Sequence, residues 1–157
     1  EQVVPDIITL AKALGNGFPI SCCLAKPEVA AAFEPGNHAS TFGGSHLACA
    51  TALATLEVIE EEDLVTHAAR MGELLASLLT REAHPCIAEV RGRGLLRAVR
   101  FDEGSVSARA VQDKCLQLGL VVNALGEDRL RLTPPLNVTE HQVRQAAQII
   151  IEALKAQ

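Results

Sequence analysis

The chain is most informative at first for what it does not contain. No run of lysines or arginines breaks its mildly acidic balance, a formal net charge of -5 over 157 residues, so neither nucleic acid nor an anionic membrane surface is an expected partner. The five cysteines, Cys22, Cys23, Cys49, Cys86 and Cys115, form no CxxC pair and are odd in number. That argues against a zinc ribbon and against a complete disulfide framework, and the thiols read as reduced and mostly buried in a cytoplasmic protein. His38, His46, His67, His84 and His141 show neither HxxxH nor HExxH spacing, so no metal site is expected. No uncharged apolar stretch reaches the roughly 18 residues a membrane span needs, and the opening "EQVVPD" has neither the basic region nor the apolar core of a signal peptide. Tyrosine and tryptophan are absent altogether. The chain does not open on Met, which reads as a portion of a longer protein or a processed chain. What is present is 48% hydrophobic residues, enough for one real core, or for one small domain and part of a larger one.

Along the chain, strand-like and helix-like pieces alternate. "DIITLAK" and "PISCCLA" are apolar runs joined by "ALGNGF", and they predict two buried strands of a parallel sheet covered on both sides. A polar loop, "EPGNHASTFGGS", precedes a helix whose stripe is Cys49, Ala52, Leu53, Leu56 and Ile59, ending near the acidic run at Glu60 to Asp63. Leu64, Ala68, Met71, Leu75 and Leu78 draw a second helical stripe. "IAEVRGRGLLRAVRF" reads as one strand broken by glycines, and its single "RGRG" as a bend rather than an RNA-binding repeat. A third helix carries Ala108, Val111, Cys115 and Leu118, with Gly119 where a left-handed cap belongs. "LVVNA" and "DRLRLTP" predict two further strands. Thr139 followed by Gln142 makes a capping box for a last helix with Val143, Ala147, Ile150 and Leu154 on its apolar face, which explains the "NVT" triplet better than glycosylation does. Later strands carry arginines and glycines, as in a smaller sheet with one open face, so a boundary is expected near residue 60.

Lys12 stands at the end of an apolar run and directly before Gly15 and Gly17. Two readings are open. The lysine either snorkels to water from a strand end, or it is desolvated against an apolar wall, which frees a nucleophilic lone pair for a Schiff base with an aldehyde. The glycines allow a tight turn and close approach to a bulky ligand.

"PDIITLAKALGNGFPI" resembles the lysine-bearing segment of the class III pyridoxal-phosphate aminotransferases. "GNHASTFGGSHLACATALATLEVIEEEDL", "RGRGLL" and "LRLTPPLNVTEHQV" resemble the segments that follow it there, in the same order and along essentially the whole chain. Within the family, the likeness is nearest to the acetylornithine type of bacterial arginine biosynthesis. The resemblance implies an α/β fold of the PLP-dependent transferase type I. Residues 1–60 would be the C-terminal part of the large cofactor domain with a connecting helix, and residues 61–157 the small C-terminal α/β domain of a cytoplasmic homodimer. It also implies transfer of the terminal amine of N2-acetylornithine to 2-oxoglutarate through pyridoxal 5'-phosphate. Ornithine, succinylornithine, succinyldiaminopimelate and 4-aminobutyrate enzymes share the scaffold, so the amino donor stays open.

By the same resemblance, Lys12 tethers the cofactor and shuttles the substrate proton, and Thr41 reaches the cofactor phosphate of the other subunit. Ser40 matches a substrate-contacting position, although its chemistry suits a turn-capping serine equally. Arg131 matches the arginine that clamps a substrate carboxylate in a bidentate fork, with Arg129 two residues away as an alternative register. The chain departs from the family pattern at "GGSH", residues 43–46, where GGNP is common, and at Ser21 to Cys23. In the family, the acid that pairs with the pyridine nitrogen, the stacked aromatic and the glycine-rich phosphate loop all precede the lysine segment. A second reading of another class is therefore a non-catalytic remnant or interaction module of the same fold.

Overall fold

The computed structural model describes residues 3–81 and 84–157. The chain divides into two compact units, residues 1–62 and 63–157.

In the first unit, β1 (Ile7–Leu10) and β2 (Cys22–Ala25) pair in the register Ile7↔Ala25 to Leu10↔Cys22. The pairing is antiparallel, not parallel as the apolar runs predicted, and all eight strand residues are exposed within the chain. The link between the strands is too short for a parallel crossover, which needs a dozen or more residues and usually a helix. A 3-10 turn at Lys12–Gly15 instead folds the chain back. Asp6 and Lys26 close the ends of the pair, with Lys26 Nζ 2.6 Å from Asp6 Oδ1 and the Lys26 N–H donating to the Asp6 carbonyl. Next comes a single turn, α1 (Pro27–Ala30), in which Pro27 takes the first helical position where its missing N–H costs nothing. The longer α2 (His46–Glu61) begins three residues before its predicted stripe. Ala48 and Ala52 are its buried residues, whereas Leu53 and Leu56 are exposed, so within this unit only part of the stripe is covered.

The second unit opens with α3 (Leu64–Arg81), whose stripe buries Leu64, Ala68, Met71 and Leu75. The predicted broken strand is a hairpin, β3 (Ile87–Arg93) and β4 (Leu96–Phe101), because Gly94 takes φ +51 and turns the chain. α4 (Ala108–Gln117) ends as expected at Gly119, φ +87. There the N–H groups of Gly119 and Leu120 donate to the carbonyls of Leu116 and Cys115, the paired bonds of a Schellman motif. That exit uses up Leu120 and leaves β5 only Asn123–Leu125, shorter than "LVVNA" suggested. β6 (Arg129–Leu132) and α5 (Glu140–Lys155) complete the unit, α5 starting at the Thr139–Gln142 capping box.

The sheet order is β3-β4-β6-β5, antiparallel throughout. Val99, Phe101, Leu130 and Leu132 alternate onto one face, where they join Leu79, Val111, Cys115, Val143 and Ile150 from the three helices in a single core. The other face stays open, as the arginines and glycines of these strands predicted.

Candidate functional site

Lys12 begins the 3-10 turn with φ +53, a left-handed conformation that costs a side chain with a Cβ about 1–2 kcal/mol. Asn16 ends the turn at φ +44, so the segment between the two strands is bent at both ends. The Lys12 amine is exposed and makes no hydrogen bond or ion pair among the described residues. The apolar wall expected around it is not supplied within this unit. The two glycines behind it do different things. A Cβ on Gly15 would come within 2.8 Å of the Ile20 side chain, so this glycine serves packing, whereas Gly17 has open space around it and is required by its φ of +110.

Ser40 and Thr41 lie on the loop before α2. The Ser40 Oγ accepts the Gly43 N–H at 3.0 Å, the turn-capping role its chemistry suits. Gly43 is needed there, since a Cβ would meet the Ser40 side chain at 2.8 Å, and Gly44 takes φ +71. Thr41 is exposed, with its hydroxyl unbonded among the described residues, and no hydrogen bond joins Lys12 to Ser40 or Thr41 among them.

Arg131 lies in the second unit, on β6, opposite Ala98 of β4 and Asn123 of β5. Alternation with buried Leu130 and Leu132 directs it to the open face. It is exposed and has no acidic partner among the described residues, while Arg129 Nε donates to Asp128 Oδ1 at 3.0 Å. Arg131 and Asn123 border a cavity of about 510 Å³ whose other walls include Leu120, Pro134, Gln142 and Ile149. The loop that follows Arg131 is tied to α3 by His67, whose Nε2 lies 2.8 Å from the Val138 carbonyl. A carbonyl only accepts, so Nε2 carries the proton; Arg70 Nη2 donates to Nδ1 at 3.4 Å. Sequence reasoning missed Asn123 and His67, because register partners and cross-element hydrogen bonds leave no mark in the local pattern.

One further group braces β4. Arg97 is 5% exposed. It donates to the Gly94 carbonyl at 2.8 Å, to the Gly92 carbonyl at 3.0 Å, and to Glu73 Oε1 on α3. The "RGRG" bend is thus a turn locked by a buried guanidinium, and it holds the strand that neighbours Arg131.

The chain belongs to the class-III aminotransferases, whose family model matches residues 1–154, and its α/β fold is part of the PLP-dependent aminotransferase fold. It is 48% identical over 149 residues to acetylornithine aminotransferase of Archaeoglobus fulgidus, covering 95% of this chain and 38% of that protein. To ornithine aminotransferase of Emericella nidulans it is 38% identical over 156 residues, covering 97% and 34%. Among solved structures, an ornithine aminotransferase from Toxoplasma gondii with PLP at partial occupancy in its active site matches with a TM-score of 0.91. The identity there is 37%, over 99% of this chain and 37% of that one. The chain therefore spans little more than a third of the length of these relatives.

Two features of this chain suit pyridoxal phosphate: the Lys12 amine and the Thr41 hydroxyl on a glycine-containing turn, neither of which has a partner among the described residues. A primary amine is a group that can condense with an aldehyde, and a hydroxyl one that can donate to a phosphate.

Proposed function

We propose that this chain is the lysine-bearing portion of a PLP-dependent transaminase that moves the terminal amine of N2-acetylornithine to 2-oxoglutarate. In this reading residues 1–60 belong to the large cofactor domain and residues 61–157 form the small domain of a homodimer. The observation that carries it is Lys12, a non-glycine residue at φ +53 whose amine has no partner among the described residues. Backbone strain of this kind persists where surrounding structure enforces it, and it concentrates at functional sites.

Each residue then has a task. Lys12 Nζ would hold the cofactor through its aldehyde and, as a free amine, would serve as the base that moves the substrate proton. Bound pyridoxal phosphate supplies an electron sink for the charge left behind. Thr41 would donate its hydroxyl to the cofactor phosphate of the partner subunit. Ser40 Oγ accepts from Gly43, which leaves its own O–H free to donate to substrate. Arg131 takes a substrate carboxylate in a two-pronged fork, orienting the reacting carbon. Arg131 has no acidic partner among the described residues, whereas Arg129 bonds Asp128, and this favours Arg131 for that task.

Borohydride reduction of the intact protein followed by peptide mass mapping tests the assignment. The expected result is a pyridoxyl mass on the peptide containing Lys12, and its loss in Lys12→Ala; the adduct on another lysine refutes it. Similarity to ornithine aminotransferases supports a second donor, ornithine, and kcat/KM measured for both amines decides between them.

A further inference from the structure

The left-handed backbone at Lys12 has to be enforced, because a residue with a Cβ returns to ordinary φ unless its surroundings prevent it. Two hydrogen bonds brace the turn, Leu14 N–H to the Ala11 carbonyl at 3.2 Å and Asn16 N–H to the Ala13 carbonyl at 3.1 Å. Both span three residues, as in any turn of this kind, and neither selects a left-handed lysine. What sets this turn apart is Gly15, its one buried residue. Positions three apart eclipse in a 3-10 turn, so Gly15 lies directly along the turn from Lys12.

Three side chains close around Gly15. A Cβ there would meet Ile20 Cγ2 at 2.8 Å, Phe18 Cβ at 3.6 Å and Thr51 Oγ1 at 3.8 Å. The last two would be ordinary contacts and the first a collision, so Ile20 is the side chain pressed against the turn. Continued two residues past Leu10↔Cys22, the register of β1 and β2 brings Ile20 level with Lys12. Ile20 is half-buried and branched at Cβ, which restricts χ1 and fixes where Cγ2 lies. Thr51 closes another side from α2, its hydroxyl tied to the Ala48 carbonyl at 2.8 Å. Gly15 is thus held between a stiff wedge and a helix.

We propose that Ile20 is a positioning residue for Lys12: its Cγ2, seated on the bare Cα of Gly15, keeps the turn in the form that holds Lys12 at φ +53. The proposal rests on the reading of Lys12 as the amine that takes the cofactor, and adds what keeps that amine aimed. Without the wedge, ordinary φ values at Lys12 outnumber the left-handed one by about five- to thirtyfold. Apparent cofactor affinity falls with the fraction of molecules left in the competent form.

Borohydride trapping of the intact protein at a series of pyridoxal phosphate concentrations tests this, read as the fraction of the Lys12 peptide that carries the pyridoxyl mass. Valine keeps both γ carbons of isoleucine, whereas leucine keeps the bulk with only one. Ile20→Val should therefore label close to the parent, and Ile20→Leu should need about five- to thirtyfold more cofactor for half-maximal labelling. A role in burial alone gives the opposite order, since leucine retains the isoleucine volume and valine loses a methylene. Gly15→Ala should weaken labelling by pushing Ile20 away, and adding Ile20→Ala to it should recover part of the loss by returning the space. If Ile20→Leu labels as well as Ile20→Val, or Gly15→Ala as well as the parent, the wedge is overturned while a labelled Lys12 in the parent leaves the cofactor assignment standing. Absence of the pyridoxyl mass from Lys12 in the parent overturns both.

Discussion

Replacing Gly72 by alanine measures how firmly the strand beside Arg131 is held. Gly72 lies inside α3, where alanine would ordinarily stabilise a helix by about 1 kcal/mol. Here the new Cβ would sit 1.9 Å from the Gly94 carbonyl oxygen and 2.4 Å from its carbon. Both are backbone atoms, so no side chain can swing aside. The turn cannot easily retreat either, because Arg97 ties the Gly94 and Gly92 carbonyls to Glu73, the residue after Gly72. Overpacking of this kind costs about 1–3 kcal/mol, and breaking one hydrogen bond to a buried charge costs a further 1.5–3 kcal/mol, roughly. After the helix gain, Gly72→Ala should destabilise by about 3 kcal/mol. Urea unfolding of the intact protein, followed by circular dichroism, should show a midpoint lowered by roughly 1–2 M at unchanged slope. A variant as stable as the parent, or more stable, would mean that helix propensity governs this position and that α3 does not press on the turn.

The remaining predictions concern chemistry. Arg131→Lys keeps the charge and loses the two-pronged geometry, so KM for both the amino donor and the oxo acid should rise about tenfold with a smaller change in kcat; equal kinetics would move the fork to Arg129. Burial pushes the Cys115 thiol up from 9.0 to about 11. The unfolded chain therefore loses that proton first, and the folded protein holds it between the two values. The stabilisation from the neutral thiol is complete below pH 9 and is lost as pH rises to about 11, on the order of 2–3 kcal/mol. The denaturation midpoint of the parent should fall relative to that of Cys115→Val over that range, and parallel profiles would count against a desolvated thiol.

Much of the second unit is written locally. The stripes of α3, α4 and α5, the Thr139–Gln142 box and the left-handed Gly119 are each set by residues within a turn or two of one another, and helices are governed by such short separations. Strands are less legible. The apolar runs around Lys12 look the same whether neighbours run parallel or antiparallel, and only the short link at residues 11–21 limits the choice. The "RGRG" segment looks like one bent strand because Gly94's φ of +51, which makes it a hairpin, is enforced by Arg97 and by the approach of Gly72. The candidate site divides in the same way. Lys12 and Arg131 are visible in their motifs, but the strain at Lys12 is a backbone angle, and the freedom of Arg131 is a matter of which acids lie within reach.

The order of residues alone determined which helix faces would be apolar, where the helices would be capped, and that a lysine followed by glycines belongs to the class-III aminotransferase pattern. Tertiary structure alone decided that Arg131 would face Ala98 and Asn123 while Arg100 would face Arg129. The physical reason is that strand register is chosen by backbone hydrogen bonds between segments distant in the chain, together with the core each strand must cover. No single segment holds that information. A shift of one residue in β6 would turn both arginines into the core and the leucines out to water.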